Sequence, residues 1–168
     1  WRIILLVNSR EKGIHGQKEY NAFKTLKPFP ENLSEKLCRL VNMVILPSLI
    51  EKNFNDFSEA IGQLQKIVGT HFSPIQGGVY SNPDIANIMN YAEQNGFMGV
   101  GQSSWGPTGF ILTDSDTSAH KLTKDIKQNF LCKDLQIEII KGRNKGSYIE
   151  SFSNENVSQN KNLNTYKE

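Results

Sequence analysis

Glycines at positions 99, 101, 106 and 109 enclose Gln102, Ser103, Ser104, Trp105 and Thr108, so backbone freedom and hydrogen-bonding side chains coincide in one short run. Glycine admits positive φ and lets an anion approach the main chain, which allows several backbone N–H groups to converge on a phosphate. Gln102, Ser103, Ser104 and Thr108 would add side-chain donors, and the flat ring of Trp105 can exclude water or stack on an aromatic ligand. The same composition also makes an ordinary glycine-rich connection between strands, and glycine spacing alone does not choose between the two. Two familiar phosphate loops are excluded. No Lys follows the glycines as Walker A requires, and Ser104 stands where the Gly-x-Gly-x-x-Gly pattern would place its third glycine.

Weaker candidates lie outside this loop. Gln76-Gly77-Gly78 either lines the same cleft or is only a turn ahead of Asn82. Arg10 and Lys12 can meet a phosphate, although the ordinary fate of a loop cation is solvation. His71, between Gly69 and Phe72, fits a partly buried structural histidine better than a proton carrier. His15, His71 and His120 are scattered, and Cys38 and Cys132 form no Cys-x-x-Cys pair, so no structural zinc or redox motif is present in the spacing. No residue declares itself as a catalytic base.

The elements that must position these residues follow from hydrophobic period. Arg2-Ile-Ile-Leu-Leu-Val7 reads as a strand, and Gln17 to Leu26 as a short helix with Tyr20, Phe23 and Leu26 three apart. Leu33, Leu37, Leu40, Val41, Val44 and Ile45 recur at helical spacing, with Pro47 expected to bend the helix before Leu49 and Ile50. A helix capped by Asn55 or Asp56 should place Phe57, Ile61, Leu64 and Val68 on one face, with Gly69 as its stop. Asn82-Pro83 starts another, facing inward through Ile85, Ile88, Met89 and Ala92 and closing at Asn95-Gly96. Strands over Phe97–Val100 and Phe110–Thr113 flank the glycine loop. Asp114 or Ser115 caps a helix burying Ala119, Leu122, Ile126 and Phe130, and Leu135, Ile137 and Ile139 alternate with polar residues as a half-buried strand. Helices clustered on one face of a small, mostly antiparallel sheet give an α+β sandwich of ferredoxin-like character.

A chain of 168 residues, 38% hydrophobic and 21% charged, suffices for one core. Residues 1–150 are expected to form that domain. Residues 151–168, rich in Asn, Ser, Gln, Glu and Lys, are expected to be a disordered polar tail. The 19 basic and 17 acidic residues are interspersed and leave a net charge of +2, a weak long-range field that gives nucleic-acid binding no support. Lys141-Gly-Arg-Asn-Lys145 is expected to be a solvated hairpin turn between two strands. The opening apolar run is far shorter than the roughly 20 residues that cross a bilayer and lacks a signal-peptide cleavage site. A cytoplasmic protein is expected, and a chain that opens inside a strand, without Met, reads as a fragment.

The string Gly101-Gln-Ser-Ser-Trp-Gly-Pro-Thr108 is similar to the third motif region of GHMP kinases, in the variant form of the β-ribofuranosylaminobenzene 5'-phosphate synthases. Residues Arg2 to Val7, Gly13 to Gly16, Glu19, Leu46 to Leu49 and Gln76 to Gly78 resemble that family in order and rough spacing, so the likeness covers residues 1–141. His15 departs from the small residue expected there. The resemblance implies the C-terminal domain of the GHMP-kinase fold. It further implies a pentosyltransferase that joins 5-phosphoribosyl 1-pyrophosphate to 4-hydroxybenzoate or 4-aminobenzoate, with loss of carbon dioxide and pyrophosphate, toward a methanopterin-type cofactor. Gly99, Gly101, Gln102, Ser103, Ser104, Trp105, Gly106 and Thr108, with Gln76 and Gly77, would then contact substrate. Mg²⁺ would accompany the diphosphate, no organic cofactor would be needed, and the missing N-terminal half would supply the other site residues, leaving the fragment alone inactive. Two other outcomes stay open: an ATP-dependent small-molecule kinase of the same class, against which Trp105-Gly-Pro-Thr108 argues, and a non-catalytic module of that fold. Leu33 to Ile50 is apolar enough to serve a homodimer interface.

Overall fold

The computed structural model describes residues 1–131 and 133–150. In chain order the elements are β1 (Arg2–Asn8), α1 (Gln17–Thr25), α2 (Glu31–Leu40), a π-helical turn (Val41–Ile45), α3 (Leu46–Glu51), α4 (Phe54–Gln76), α5 (Pro83–Gln94), β2 (Val100–Gln102), β3 (Gly109–Thr113), α6 (Asp116–Asn129) and β4 (Leu135–Ile140). The four strands form one sheet in the order β2-β3-β1-β4, and every pairing is antiparallel. Helices between β1 and β2 and between β3 and β4 complete the split βαβ arrangement of ferredoxin-like folds, as the order of elements in the sequence predicts.

Alternation along the strands decides what each face meets. Ile4, Leu6, Val100 and Ile111 are fully buried and pack with Ile85, Ile88, Met89 and Ala92 of α5 and with Ala119, Leu122 and Ile126 of α6. The opposite face is not left open. There Gly101 and Phe110, paired across β2 and β3, meet Gln65 of α4, and Trp1 stacks on Phe57 with ring centroids 5.1 Å apart. The expectation of helices on one face is therefore corrected: α5 and α6 cover one side and α4 lies over the β2 edge of the other. The close approach is possible because α4 turns Ser58 and Gly62 toward the chain that leads into β2. A methyl group on Gly62 would stand 2.1 Å from the Met98 carbonyl oxygen.

Helix α4 departs furthest from expectation. Its cap is Asn53, whose side chain accepts the Asp56 N–H, and it runs through Gly69 to Gln76. Gly69 is not a stop: it is buried mid-helix, where a Cβ would sit 2.5 Å from the Val79 carbonyl oxygen, so glycine serves close approach and not a positive φ. Pro74 is tolerated inside the helix although it cannot donate to Thr70. The Ser73 hydroxyl donates to that carbonyl instead, at 2.8 Å. The stop is Gly77, at φ 89. The fully buried residues of α4 are Ser58, Ala60, Gly62 and Gly69, while Phe57, Ile61, Leu64 and Val68 are half-buried. The bend expected at Pro47 appears one turn earlier. Pro47 has no N–H for Met43, and Leu46 N–H reaches back five residues to Val41, opening the π turn.

Residues 141–150 contain no strand, so the turn expected at Lys141 to Lys145 leads nowhere. Three cations and two glycines there leave no alternating apolar face to bury. Met43, Leu46, Leu49 and Ile50 form an exposed apolar stretch across the π turn and α3. No helix among the described residues is long and apolar enough to cross a membrane. Cys132 and the polar tail expected over 151–168 lie outside the described residues.

Candidate functional site

The glycine loop is the turn of the β2–β3 hairpin. Ser103 N–H donates to Thr108 O and Gly106 N–H to Ser103 O, each at 2.9 Å, so the loop is closed on itself by two backbone bonds. Ser104 takes a positive φ of 51, a conformation costing a non-glycine residue about 1–2 kcal/mol. Gly106 takes φ 69 and lies so close to the chain below that a Cβ would stand 2.1 Å from Ser81 Oγ. The peptide between Gly106 and Pro107 is cis. Gly99 and Gly101 have another function: their bare Cα atoms admit Ser58 and Gln65 of α4. Ser103 and Thr108 close the hairpin, and Gly77 caps α4.

Gln102 fastens this hairpin to two other segments. Its backbone N–H donates to Gln65 Oε1 at 3.0 Å. Its side-chain Oε1 accepts the Ser81 N–H at 2.7 Å. Its Nε2 donates to Gln76 Oε1 at 3.2 Å and to Ser104 O at 3.0 Å. Gln76 in turn donates through Nε2 to the carbonyls of Gly78 and Val79, each at 2.8 Å. The residue is 8% exposed, and both amide hydrogens and the carbonyl of its side chain have partners within the chain. Gln102 thus sets the shape of the loop from below.

Trp105 points inward and is 6% exposed. Its Nε1–H donates to Glu19 Oε1 of α1 at 2.9 Å. Its ring meets Phe72 and Phe23 edge-on, with centroids 4.8 and 5.6 Å away. Between these rings lies a pocket of about 230 Å³, bordered also by Glu19, Gln76, Gln102 and Ser104. Among the described residues Glu19 is the only ionisable group lining it. Ser104, Trp105 and Gly106 also border a second crevice, of about 410 Å³, whose other wall is Lys12 to His15. Gly13 rests directly on the loop, 2.1 Å separating a would-be Cβ from Gly106 O.

The structure brings Gln76, Gln102, Ser104 and Trp105 to one pocket and adds Gly106 at the neighbouring crevice. Arg10 is drawn elsewhere, pairing with Asp134 at 2.6 Å. His71 packs between Phe29 and Phe72, centroids 4.6 and 5.2 Å away, as a structural histidine would. Sequence reasoning assigned no role to Gln65, Ser81, Phe23, Phe72 or Glu19. The spacing of Glu19 and Phe23, four apart on one helical face, was a usable signal. The 86-residue separation of Glu19 from Trp105 gave none. Among the described residues no three His, Cys, Asp or Glu side chains converge in a way that could hold a metal ion.

In an adjoining groove between α4 and α5, burial and then the charge of Glu93 push the Tyr80 phenol up to about 12. Its hydroxyl is buried without a hydrogen-bond partner among the described residues. Glu93 pairs with Lys66 at 2.7 Å.

A family profile described as GHMP kinases C terminal matches residues 45–131, just over half of the chain. The chain is 32% identical over 121 residues to the β-ribofuranosylphenol 5'-phosphate synthase of Methanocaldococcus jannaschii, covering 72% of this chain and 35% of that protein. It is 27% identical over 152 residues to the enzyme of the same name from Archaeoglobus fulgidus, covering 89% and 45%. It thus spans less than half the length of either relative. In fold it is similar to mevalonate diphosphate decarboxylase from Staphylococcus aureus, with a TM-score of 0.56 at 14% identity over 83% of this chain and 46% of that one.

Proposed function

This chain belongs to the GHMP kinase C-terminal family, and from that membership we propose that it is the C-terminal part of a synthase transferring a phosphoribosyl group to an aromatic acid. The donor is 5-phosphoribosyl 1-pyrophosphate, the acceptor 4-hydroxybenzoate, and the products a ribosylated phenol phosphate, carbon dioxide and pyrophosphate. The relatives' name contains a phenol, which favours the hydroxy over the amino acid as acceptor. Formation of a methanopterin-type cofactor is the metabolic role that goes with this reaction, and the cytoplasm the compartment in which its phosphorylated donor is available.

One observation carries the reading: Ser104 and Trp105 divide an aromatic-walled pocket from a crevice containing Lys12. A pocket of about 230 Å³ exceeds the ~150 Å³ cavity known to hold benzene, so it is large enough for the acceptor ring. The crevice beside it suits the diphosphate. Departure of pyrophosphate leaves positive charge at ribose C1 and negative charge on the leaving group, and fixed donors are most effective where that charge develops. Lys12 and the loop main chain serve the anion. Among the described residues no cation lines the pocket, so the acceptor carboxylate has no side-chain counter-charge from them there, which favours its loss as carbon dioxide. Gln102 and Gln76 hold the wall and are assigned positioning roles.

The described residues do not fit a resident metal, since no three of their His, Cys, Asp or Glu side chains converge, and Glu19 and Glu11 each have one carboxylate oxygen bonded, to Trp105 and Asn82. Mg²⁺ is accordingly assigned to the diphosphate, as its complex.

The test is turnover of 5-phosphoribosyl 1-pyrophosphate with 4-hydroxybenzoate by the protein as encoded, with any sequence that flanks these residues. Joint release of pyrophosphate and carbon dioxide is expected, with 4-aminobenzoate the poorer acceptor. ATP-dependent phosphorylation of a small alcohol, without carbon dioxide, would establish the kinase instead.

A further inference from the structure

We infer that Glu19 is the catalytic base of this site, accepting the phenolic proton of the aromatic acceptor through Oε2. The inference rests on the synthase reading and extends it to a residue that fold and family membership leave without a role. Glu19 is the single ionisable side chain lining the pocket among the described residues. Its Oε1 is fixed by the Trp105 Nε1–H at 2.9 Å, while Oε2 has no partner among the described residues. A carboxylate anchored through one oxygen, with the other unpartnered on a residue that lines an aromatic-walled cavity, suits an oriented proton acceptor. The nearest competitors lie outside the cavity: His71 is packed behind Phe72, and Lys12 and His15 line the neighbouring crevice. On α1 itself, Lys24 sits over the Tyr20 ring, 4.3 Å from its centroid.

The step balances. As the phenolic O–H proton passes to Glu19, the ring carbon that bears the carboxylate forms a bond to ribose C1. The bond from C1 to the pyrophosphate oxygen breaks, and its electron pair leaves with pyrophosphate. The ring is now a cyclohexadienone. The bond to the carboxylate then breaks, carbon dioxide departs, and the electron pair left behind restores the aromatic ring as a phenolate. Glu19 returns its proton to that oxygen, and no oxidant, reductant or further reactant is required.

Glu19→Gln is the informative variant, because the amide oxygen still accepts the Trp105 N–H and leaves the packing unchanged. In the protein as encoded, kcat with 4-hydroxybenzoate is expected to fall by about 10²–10⁴-fold with KM little changed, the range typical of a lost general base. A variant with kcat within about threefold of wild type overturns the role of Glu19. A wild-type protein that releases neither product overturns the synthase reading itself, so the two failures are distinguishable. Should Glu19→Gln not fold, Glu19→Asp decides. The shorter carboxylate still takes a proton, so turnover well above background supports the base, and turnover lost from a folded variant shows that the carboxylate acts only by holding Trp105.

Discussion

Replacing Gln102 with Ala should destabilise the fold and disable the loop together, because the side chain joins three segments and not one. It makes three hydrogen bonds, to Ser81 N–H at 2.7 Å, Ser104 O at 3.0 Å and Gln76 Oε1 at 3.2 Å, in an 8% exposed setting. At about 1 kcal/mol net for each bond, with buried partners left unpaired, the expected loss is roughly 2–4 kcal/mol. For a protein of this size that lowers Tm by roughly 5–15 °C, measurable by calorimetry, or by the midpoint of urea unfolding. Gln102→Glu is the sharper probe. Its carboxylate keeps an acceptor for Ser81 N–H but turns a second acceptor toward Gln76 Oε1 and Ser104 O. Protonation restores one donor, so the folded state raises this carboxyl above its ordinary value. The native state then binds the extra proton, and stability falls as pH rises from the unfolded toward the folded value, with the full penalty above it. The reasoning is refuted if Gln102→Ala loses turnover while its unfolding midpoint stays at the wild-type value. That result would mean the amide serves the ligand directly.

Three further outcomes test the packing and the charges. Gly62→Ala, which at an open helical site would stabilise by about 1 kcal/mol, should instead cost roughly 2–4 kcal/mol in urea unfolding, since its Cβ meets Met98 O at 2.1 Å. Tyr80→Phe removes a buried hydroxyl without a partner and should leave stability unchanged or raise it by up to about 1 kcal/mol. With the phenol raised from 10.0 to about 12, the native protein keeps a proton that the unfolded chain loses in that window, so wild-type stability falls with rising pH there, and unfolding of the Phe variant should show no such slope. Asp116 is held below its ordinary value, first by its hydrogen bonds to the Arg2 guanidinium at 2.7 and 2.6 Å. Its contribution is complete above the ordinary carboxylate range and is lost as pH falls through the lowered value, so Asp116→Asn should flatten that part of an acid titration of stability.

The legible parts of the fold were those in which one residue type has one physical meaning. Asn82-Pro83 starts α5 because Asn accepts the Ile85 N–H and proline needs no partner in the first turn, and Asn95-Gly96 follows its last residue as read. Strict alternation placed β4, and the apolar run placed β1. Glycine was ambiguous. At Gly77 it ends a helix through positive φ, whereas at Gly69 it lies inside one, and the sequence around each looks much the same. Only the neighbour distinguishes them, and the neighbour of Gly69 is Val79, ten residues away. The site was half legible for the same reason. Its loop is contiguous and announces itself, but the Glu19 contact to Trp105 and the Gln65 contact to Gln102 span 86 and 37 residues, separations at which no periodicity helps.

The contacts that α4 makes to the loop share one cause, which ties the packing to the proposed chemistry. Small residues at 58, 62 and 69 let α4 approach both the segment leading into β2 and the chain that follows Gly77. Because the helix lies so close, Gln65 reaches the backbone of Gln102, Gln76 reaches its side chain, and Phe72 reaches the face of Trp105. A bulkier residue at 62 or 69 would move all three contacts at once, since they project from one rigid rod. The glycine-rich loop is therefore shaped by glycines outside it. Substitutions along this face of α4 should change turnover and stability in proportion, whereas Glu19→Gln should change turnover alone.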